Sequence, residues 1–123
     1  MGIAVEDIGS NEKRIGLTEY SLEASVESRL RAASLFDADA SSSSPRLVVR
    51  VSVLGQACGV DLQFNKMVLD FASGEYLLAT TWSKSSICTH GRDAGYVRSI
   101  VADFMDQFML EYLRVNEEAC SED

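Results

Sequence analysis

A regular apolar stripe near the C-terminus constrains the fold of this chain more than any other feature. Between positions 97 and 113, apolar side chains recur at spacings of three and four residues, which is the period of one helix face. The stripe runs for about five turns, and Asp93 precedes it as a candidate N-cap. The residues that form it are Val97, Ile100, Val101, Phe104, Met105, Phe108, Met109, Tyr112 and Leu113. A stripe of this width predicts a long helix that buries one face against another layer.

Three strands are predicted ahead of this helix. Residues 46–54 place four apolar side chains on one side, Leu47, Val49, Val51 and Val53, and Val48, Arg50, Ser52 and Leu54 on the other. Residues 60–71 and 75–84 follow with the same period of two, and Gly-containing turns separate the three segments, the first of them a five-residue turn over 55–59. The apolar positions of the second strand change parity near Asn65, which predicts a β-bulge at Asn65–Lys66. In the third strand the alternation predicts that Tyr76 and Trp82 share one face.

The N-terminal third predicts one more helix and a short strand. Thr18 is a candidate N-cap for a helix over 19–36, because apolar residues then recur at helical spacing. Residues 1–16 contain a brief alternation that suits a short strand. The Ser-rich segment 37–45 is predicted to be a flexible loop, and the acidic tail 115–123 is predicted to fray.

These elements predict a single α+β domain over residues 1–123 with the order (β)-α-β-β-β-α. Strands joined by short turns favour an antiparallel meander, here of three strands with a fourth short N-terminal strand as an option. Both helices then pack on one face of the sheet and give a two-layer sandwich.

Composition excludes several partners. The 123 residues contain 11 Lys and Arg against 19 Asp and Glu, a formal net charge of −8. Nucleic acids and anionic membranes are bound through clustered positive charge, so we expect neither as a partner. No segment reaches the length of apolar sequence that a membrane span requires. Nor does the sequence contain a phosphate-binding glycine motif.

The three cysteines leave the redox state open. Cys58, Cys88 and Cys120 are an odd number at no standard spacing, which favours a reducing cytoplasm. A pair between Cys58 and Cys88 remains an alternative, as does export if a leader has been removed. Scattered Cys residues with a single Cys-x-His pair do not form a zinc pattern, and we expect no metal and no cofactor.

Two groups of residues are candidates for function. The segment 85–92 is predicted to be a polar loop, and it holds the only histidine, His90, between Cys88 and Asp93. His90 could serve as a general base with Asp93 orienting it and Cys88 as nucleophile, although a solvated connector with a helix cap explains the same residues. Trp82, Tyr76 and Arg50 are candidates for ligand contacts.

Three short motifs carry a family resemblance. Gly16-Leu17-Thr18, Arg29-Leu30-Arg31 and Tyr112-Leu113-x-Val115-Asn116 resemble the pattern of small uncharacterised bacterial proteins. The resemblance implies a helix, three strands and a helix, and many of those proteins look exported. It implies no activity and no functional residue, and the chain departs from the group in showing no signal peptide.

Two hypotheses for function follow from the sequence. The first is a non-enzymatic binding or protein-interaction domain, with a homodimer as the expected assembly because a meander leaves exposed edges. The second is a small enzyme that uses the 85–93 loop with His90 as base. An enzyme should bring His90 and a carboxylate together in a pocket, whereas a binding module should present a continuous apolar or mixed patch.

Overall fold

The computed structural model describes residues 1–6, 9, 12, 16–41, 43–89 and 93–121, with side chains as far as residue 116. In it the chain forms four strands and two long helices: β1 (Gly2–Glu6), α1 (Glu19–Ala32), β2 (Arg46–Leu54), β3 (Ala57–Asp70), β4 (Glu75–Cys88) and α2 (Ala94–Ser121). The predicted α+β class and order are confirmed, and the optional N-terminal strand is present.

One mixed sheet has the strand order β1-β2-β3-β4. The short strand β1 pairs in parallel with β2, whereas β2, β3 and β4 pair antiparallel as a meander. The turn between β2 and β3 is Gly55–Gln56, shorter than the five-residue turn predicted. Its tightness needs a positive φ, and Gly55 supplies one of 63° without steric cost.

Both helices pack on the same face of the sheet. Helix α1 begins at a capping box, in which Ser21 N donates to Thr18 Oγ1 (3.0 Å) and Thr18 N donates to Ser21 Oγ (3.2 Å). The odd-numbered side chains of β2 and the even-numbered side chains of β3 from Cys58 to Phe64 face the helices. The core includes Leu22, Val26, Leu30, Leu47, Val49, Val51, Val60, Leu62, Val97, Val101, Phe104, Met105 and Phe108.

Helix α2 confirms the long helix that the apolar stripe predicts, and it continues past the end of the stripe. Its 28 residues span about 42 Å. Val97, Val101 and Met105 are fully buried, as the spacing predicts. The helix continues through the acidic tail to Ser121, beyond the end of the stripe at Leu113.

A buried carboxylate connects the N-terminal region to the sheet. Glu12 is only 6% exposed, and its two side-chain oxygens accept hydrogen bonds from Gly9 N and Val53 N, both at 3.0 Å. Charge-assisted hydrogen bonds to backbone N–H groups offset the cost of burying the carboxylate. Glu12 therefore fixes the connection between β1 and α1 against the end of β2.

The irregularity in the sheet lies where the sequence predicts it, but on the other strand. The register shifts between Phe64 and Asn65, and the extra residue is Thr81 of β4, because Phe64 pairs with Trp82 and Asn65 pairs with Thr80. The bulge therefore lies in β4, and the prediction that it lies in β3 at Asn65–Lys66 is wrong. Tyr76 and Trp82 consequently lie on opposite faces of the sheet instead of sharing one.

Candidate functional site

The first half of the segment predicted as a polar loop, residues 85–88, is strand, so that part of the prediction is wrong. Strand β4 continues to Cys88, because residues 83–88 pair with 58–63 of β3. Asp93 caps α2: its Oδ1 accepts a hydrogen bond from Tyr96 N (3.1 Å), and its backbone oxygen accepts one from Val97 N (3.1 Å). His90 lies outside the described residues, so its role as a base stays a prediction.

Cys88 forms a disulfide with Cys58. The two residues are register partners across β3 and β4, with their Cα atoms 4.9 Å apart, a separation within the range that disulfides occupy. Both are buried at the sheet end near the start of α2. A sulfur in a disulfide is not a thiolate, so this form of the protein does not present Cys88 as a nucleophile.

Arg50 lies on the sheet face that the helices leave uncovered. Its Nε atom is 2.7 Å from Glu6 Oε2, and its Nη1 atom is 4.0 Å from Asp61 Oδ2. Together with Ser52, Gly59, Ser85 and Ile87 it lines a shallow depression of about 600 Å³. The guanidinium faces two carboxylates, so this surface is polar, and the three side chains together carry one positive and two negative charges.

Trp82 packs against α2 on the helix side of the sheet. Its ring meets Phe108 at a centroid distance of 5.2 Å, and its indole N–H donates to Glu111. Lys84, two residues further along the same face of β4, donates to Gln107. These contacts place Trp82 at the packing interface between the sheet and the second half of α2.

Tyr76 lies far from Trp82, on a two-stranded extension of the sheet. Strand β2 begins at Arg46, which pairs with Asn65, so residues 66–70 and 75–79 pair only with each other. We call residues 66–79 the arm. Six large apolar side chains on it are more than a third exposed: Met67 39%, Leu69 40%, Phe71 93%, Tyr76 69%, Leu77 43% and Leu78 43%.

The two faces of the arm differ in chemistry. Because Thr81 is an extra residue, the odd positions of β3 and the even positions of β4 point together, away from the helices. We call this side of the arm the apolar face. It carries no charged side chain and consists of Met67, Leu69, Tyr76 and Leu78, flanked by Asn65 and Thr80. The opposite side carries Lys66, Val68, Asp70, Glu75, Leu77 and Ala79.

A second cavity lies where the arm joins the body, on the helix side. This aromatic cleft, of about 470 Å³, is lined by Phe64, Trp82, Phe108, Tyr112 and Val115. Lys66 and Arg114 line the same cleft. The rings form one stacked group, in which Phe64 lies 5.1 Å from Phe108 and 5.9 Å from Tyr112 between centroids. The sequence spacing gave no sign of this cleft, since its walls come from β3, β4 and α2.

The structure thus separates the candidates of the sequence analysis. Arg50 lies on the open sheet face, Trp82 in the aromatic cleft and Tyr76 on the arm, so the three do not form one site. Within the described ranges, no group of three His, Cys, Asp or Glu side chains is arranged to hold a metal ion. Among those same residues, no helix has both the length and the apolar content needed to cross a bilayer.

The fold and these surfaces define a small α+β domain with helices on one side of a mixed sheet and an apolar arm. Comparison with known proteins finds no matching family, no similar curated protein and no similar solved structure. The function is therefore argued from the surfaces themselves.

Proposed function

We propose that the protein is a non-enzymatic interaction domain that forms a homodimer through the arm. The observation that carries the proposal is the continuous apolar face, Met67, Leu69, Tyr76 and Leu78, which the fold leaves in water. An isolated two-stranded hairpin is marginally stable in water, and contiguous apolar patches on soluble domains mark interaction sites. A partner that covers this face would stabilise the arm.

The lack of charged side chains on the apolar face permits a second copy of the chain as this partner. Each copy carries a net charge of −8, so two copies repel each other over most of their surfaces. The apolar face presents no charge, and the cores of interfaces are depleted in charged residues. Two such faces can pack about a two-fold axis with the arms antiparallel, which gives a closed, self-complementary contact.

The exposed area supports the same assembly. Tyr76 of the apolar face is 69% exposed, so it alone could bury about 100 Å² or more per copy, because an aromatic side chain buries roughly 150–250 Å². A standard interface buries about 800 Å² per partner. The aliphatic side chains of the apolar face and the adjoining strand residues can contribute the remaining area.

A charge placed on the apolar face tests this proposal. Leu78→Asp should raise the dissociation constant of the dimer about 100-fold or more, because each interface would bury two unpaired carboxylates. Light scattering across a dilution series measures the mass. Ile87→Asp is the matched control, since Ile87 lies on the same strand, is 88% exposed and is remote from the arm.

Three outcomes decide the test. A dimeric wild type with a monomeric Leu78→Asp and a dimeric Ile87→Asp supports the proposal. Circular dichroism checks that Leu78→Asp folds, and Tyr76→Asp, at a position 69% exposed, repeats the test. A monomeric wild type, or a dimer that neither arm variant weakens, would overturn it.

We further propose that the protein works in an oxidising compartment. The disulfide between Cys58 and Cys88 supports this location, because such pairs persist outside the reducing cytoplasm. Alkylating free thiols in intact cells before lysis tests the proposal. Mass analysis should find Cys58 and Cys88 protected from alkylation. Alkylation of both would contradict the proposal and indicate a reducing compartment such as the cytoplasm.

A further inference from the structure

We propose that the aromatic cleft binds a small amphiphilic carboxylate, that is, an apolar body bearing one anionic head group. The inference is independent of the homodimer, because the cleft lies on the helix side of the arm and the apolar face lies on the other. It rests on two properties of the cleft, its aromatic walls and two basic side chains, Lys66 and Arg114, that pair with none of the described side chains.

The walls suit an apolar body. Phe64 and Phe108 are buried at the base of the ring group, whereas Trp82 and Tyr112 are only partly buried and Val115 is 56% exposed. The cavity of about 470 Å³ falls within the range of roughly 300–1,000 Å³ that small-molecule sites occupy. A ligand tail placed here would remove apolar side-chain surface from water.

The charges suit an anionic head. Lys66 and Arg114 line the cleft, and neither has an ion pair or side-chain hydrogen bond with any of the side chains that the structure describes. Glu111 is the acidic side chain in the lining, and its carboxylate accepts the hydrogen bond from the Trp82 indole. In a chain with 19 acidic against 11 basic residues, two such cations beside an aromatic wall favour a carboxylate.

The chain contains its own reporter for this ligand. Trp82 is the only tryptophan, and it forms part of the cleft wall. Three probes with the same tail separate the contributions: decanoate, decanol and decyltrimethylammonium, the two ions kept below their micelle concentrations and decanol below its solubility limit. Tryptophan fluorescence and isothermal titration calorimetry should show decanoate binding about tenfold or more tighter than decanol, with the ammonium probe weakest.

Removing the two positive charges tests the assignment of the head group. The double variant Lys66→Gln/Arg114→Gln should lose about tenfold or more in decanoate affinity and leave decanol affinity unchanged. The matched control Arg31→Gln/Arg98→Gln changes the net charge equally at two positions outside the cleft lining and should bind decanoate like the wild type.

Three results would overturn the proposal: no binding of decanoate, equal affinity for decanoate and decanol, or an unaffected double variant. The monomerising variant Leu78→Asp should still bind decanoate like the wild type. Failure of the dimer and failure of the cleft can therefore be told apart.

Discussion

Replacing Phe108 by alanine is expected to lower the free energy of unfolding by about 3–5 kcal/mol. Phe108 is 2% exposed, and its ring lies within 5.1–5.5 Å of the Phe64, Trp82 and Tyr112 rings between centroids. Truncation leaves a cavity at the point where α2 meets β3 and β4, and the surrounding rings can fill it only in part. Denaturant unfolding followed by circular dichroism measures the change.

Leu110→Ala is the control for this variant. Leu110 lies on the same helix, two residues further along, but its side chain is 73% exposed. Its truncation removes little buried surface, so the free energy of unfolding should change by no more than about 0.5 kcal/mol. Equal effects of the two variants would show that α2 does not pack through the Phe108 side.

Removing the disulfide is the second large expected effect. The bond between Cys58 and Cys88 closes a loop with a sequence separation of 30, and the chain-entropy model assigns such a loop about 3–4 kcal/mol. The double variant Cys58→Ala/Cys88→Ala should therefore unfold at a markedly lower denaturant concentration than the oxidised wild type.

A reductant provides the internal comparison. The wild type in excess dithiothreitol should approach the stability of the double variant, while the double variant itself should not respond to dithiothreitol. A wild type whose unfolding midpoint is the same with and without reductant would show that the bond adds no stability.

The main elements could be predicted because each has a strong local pattern. The stripe from Val97 to Leu113 repeats at the helical period, and Leu47, Val49, Val51 and Val53 recur with a period of two and are all buried. The pairing of β1 could not be predicted in the same way. Its five residues carry little pattern, and its parallel partner lies some forty positions away across a helix.

The arm was harder to predict because its geometry depends on one irregular pair. The apolar residues Met67 and Leu69 suggested a bulge in β3 that would keep them in the core. In the structure, β3 alternates regularly and its outer part carries apolar residues on the uncovered side. No property of the Thr81 side chain signals that it is the extra residue, so alternation alone predicts one face for Tyr76 and Trp82.

The aromatic cleft could not be predicted from the sequence for a different reason. Lys66, Trp82 and Arg114 come from three elements, and only the packing of α2 along β3 and β4 places them around one cleft. The structural role of Glu12 could not be predicted, because an acidic side chain in a short polar segment predicts exposure, whereas Glu12 is buried. Asp93, by contrast, occupies the capping role that its position before an apolar stripe predicts.

Because Thr81 is an extra residue, we expect β4 to tolerate the loss of a residue at this position better than the gain of one. A chain that lacked Thr81 could join Thr80 directly to Trp82 and still match Asn65 and Phe64 on the neighbouring strand. One more residue at the same point, if it paired with Asn65 while Thr81 stayed bulged, would instead place Leu78 opposite Val68 and Tyr76 opposite Asp70, on the side that faces α2. The four apolar side chains would then be divided between the two sides. Deleting one residue of β4 at this position is thus the milder change. Inserting one would change which side chains the arm exposes on the side away from the helices.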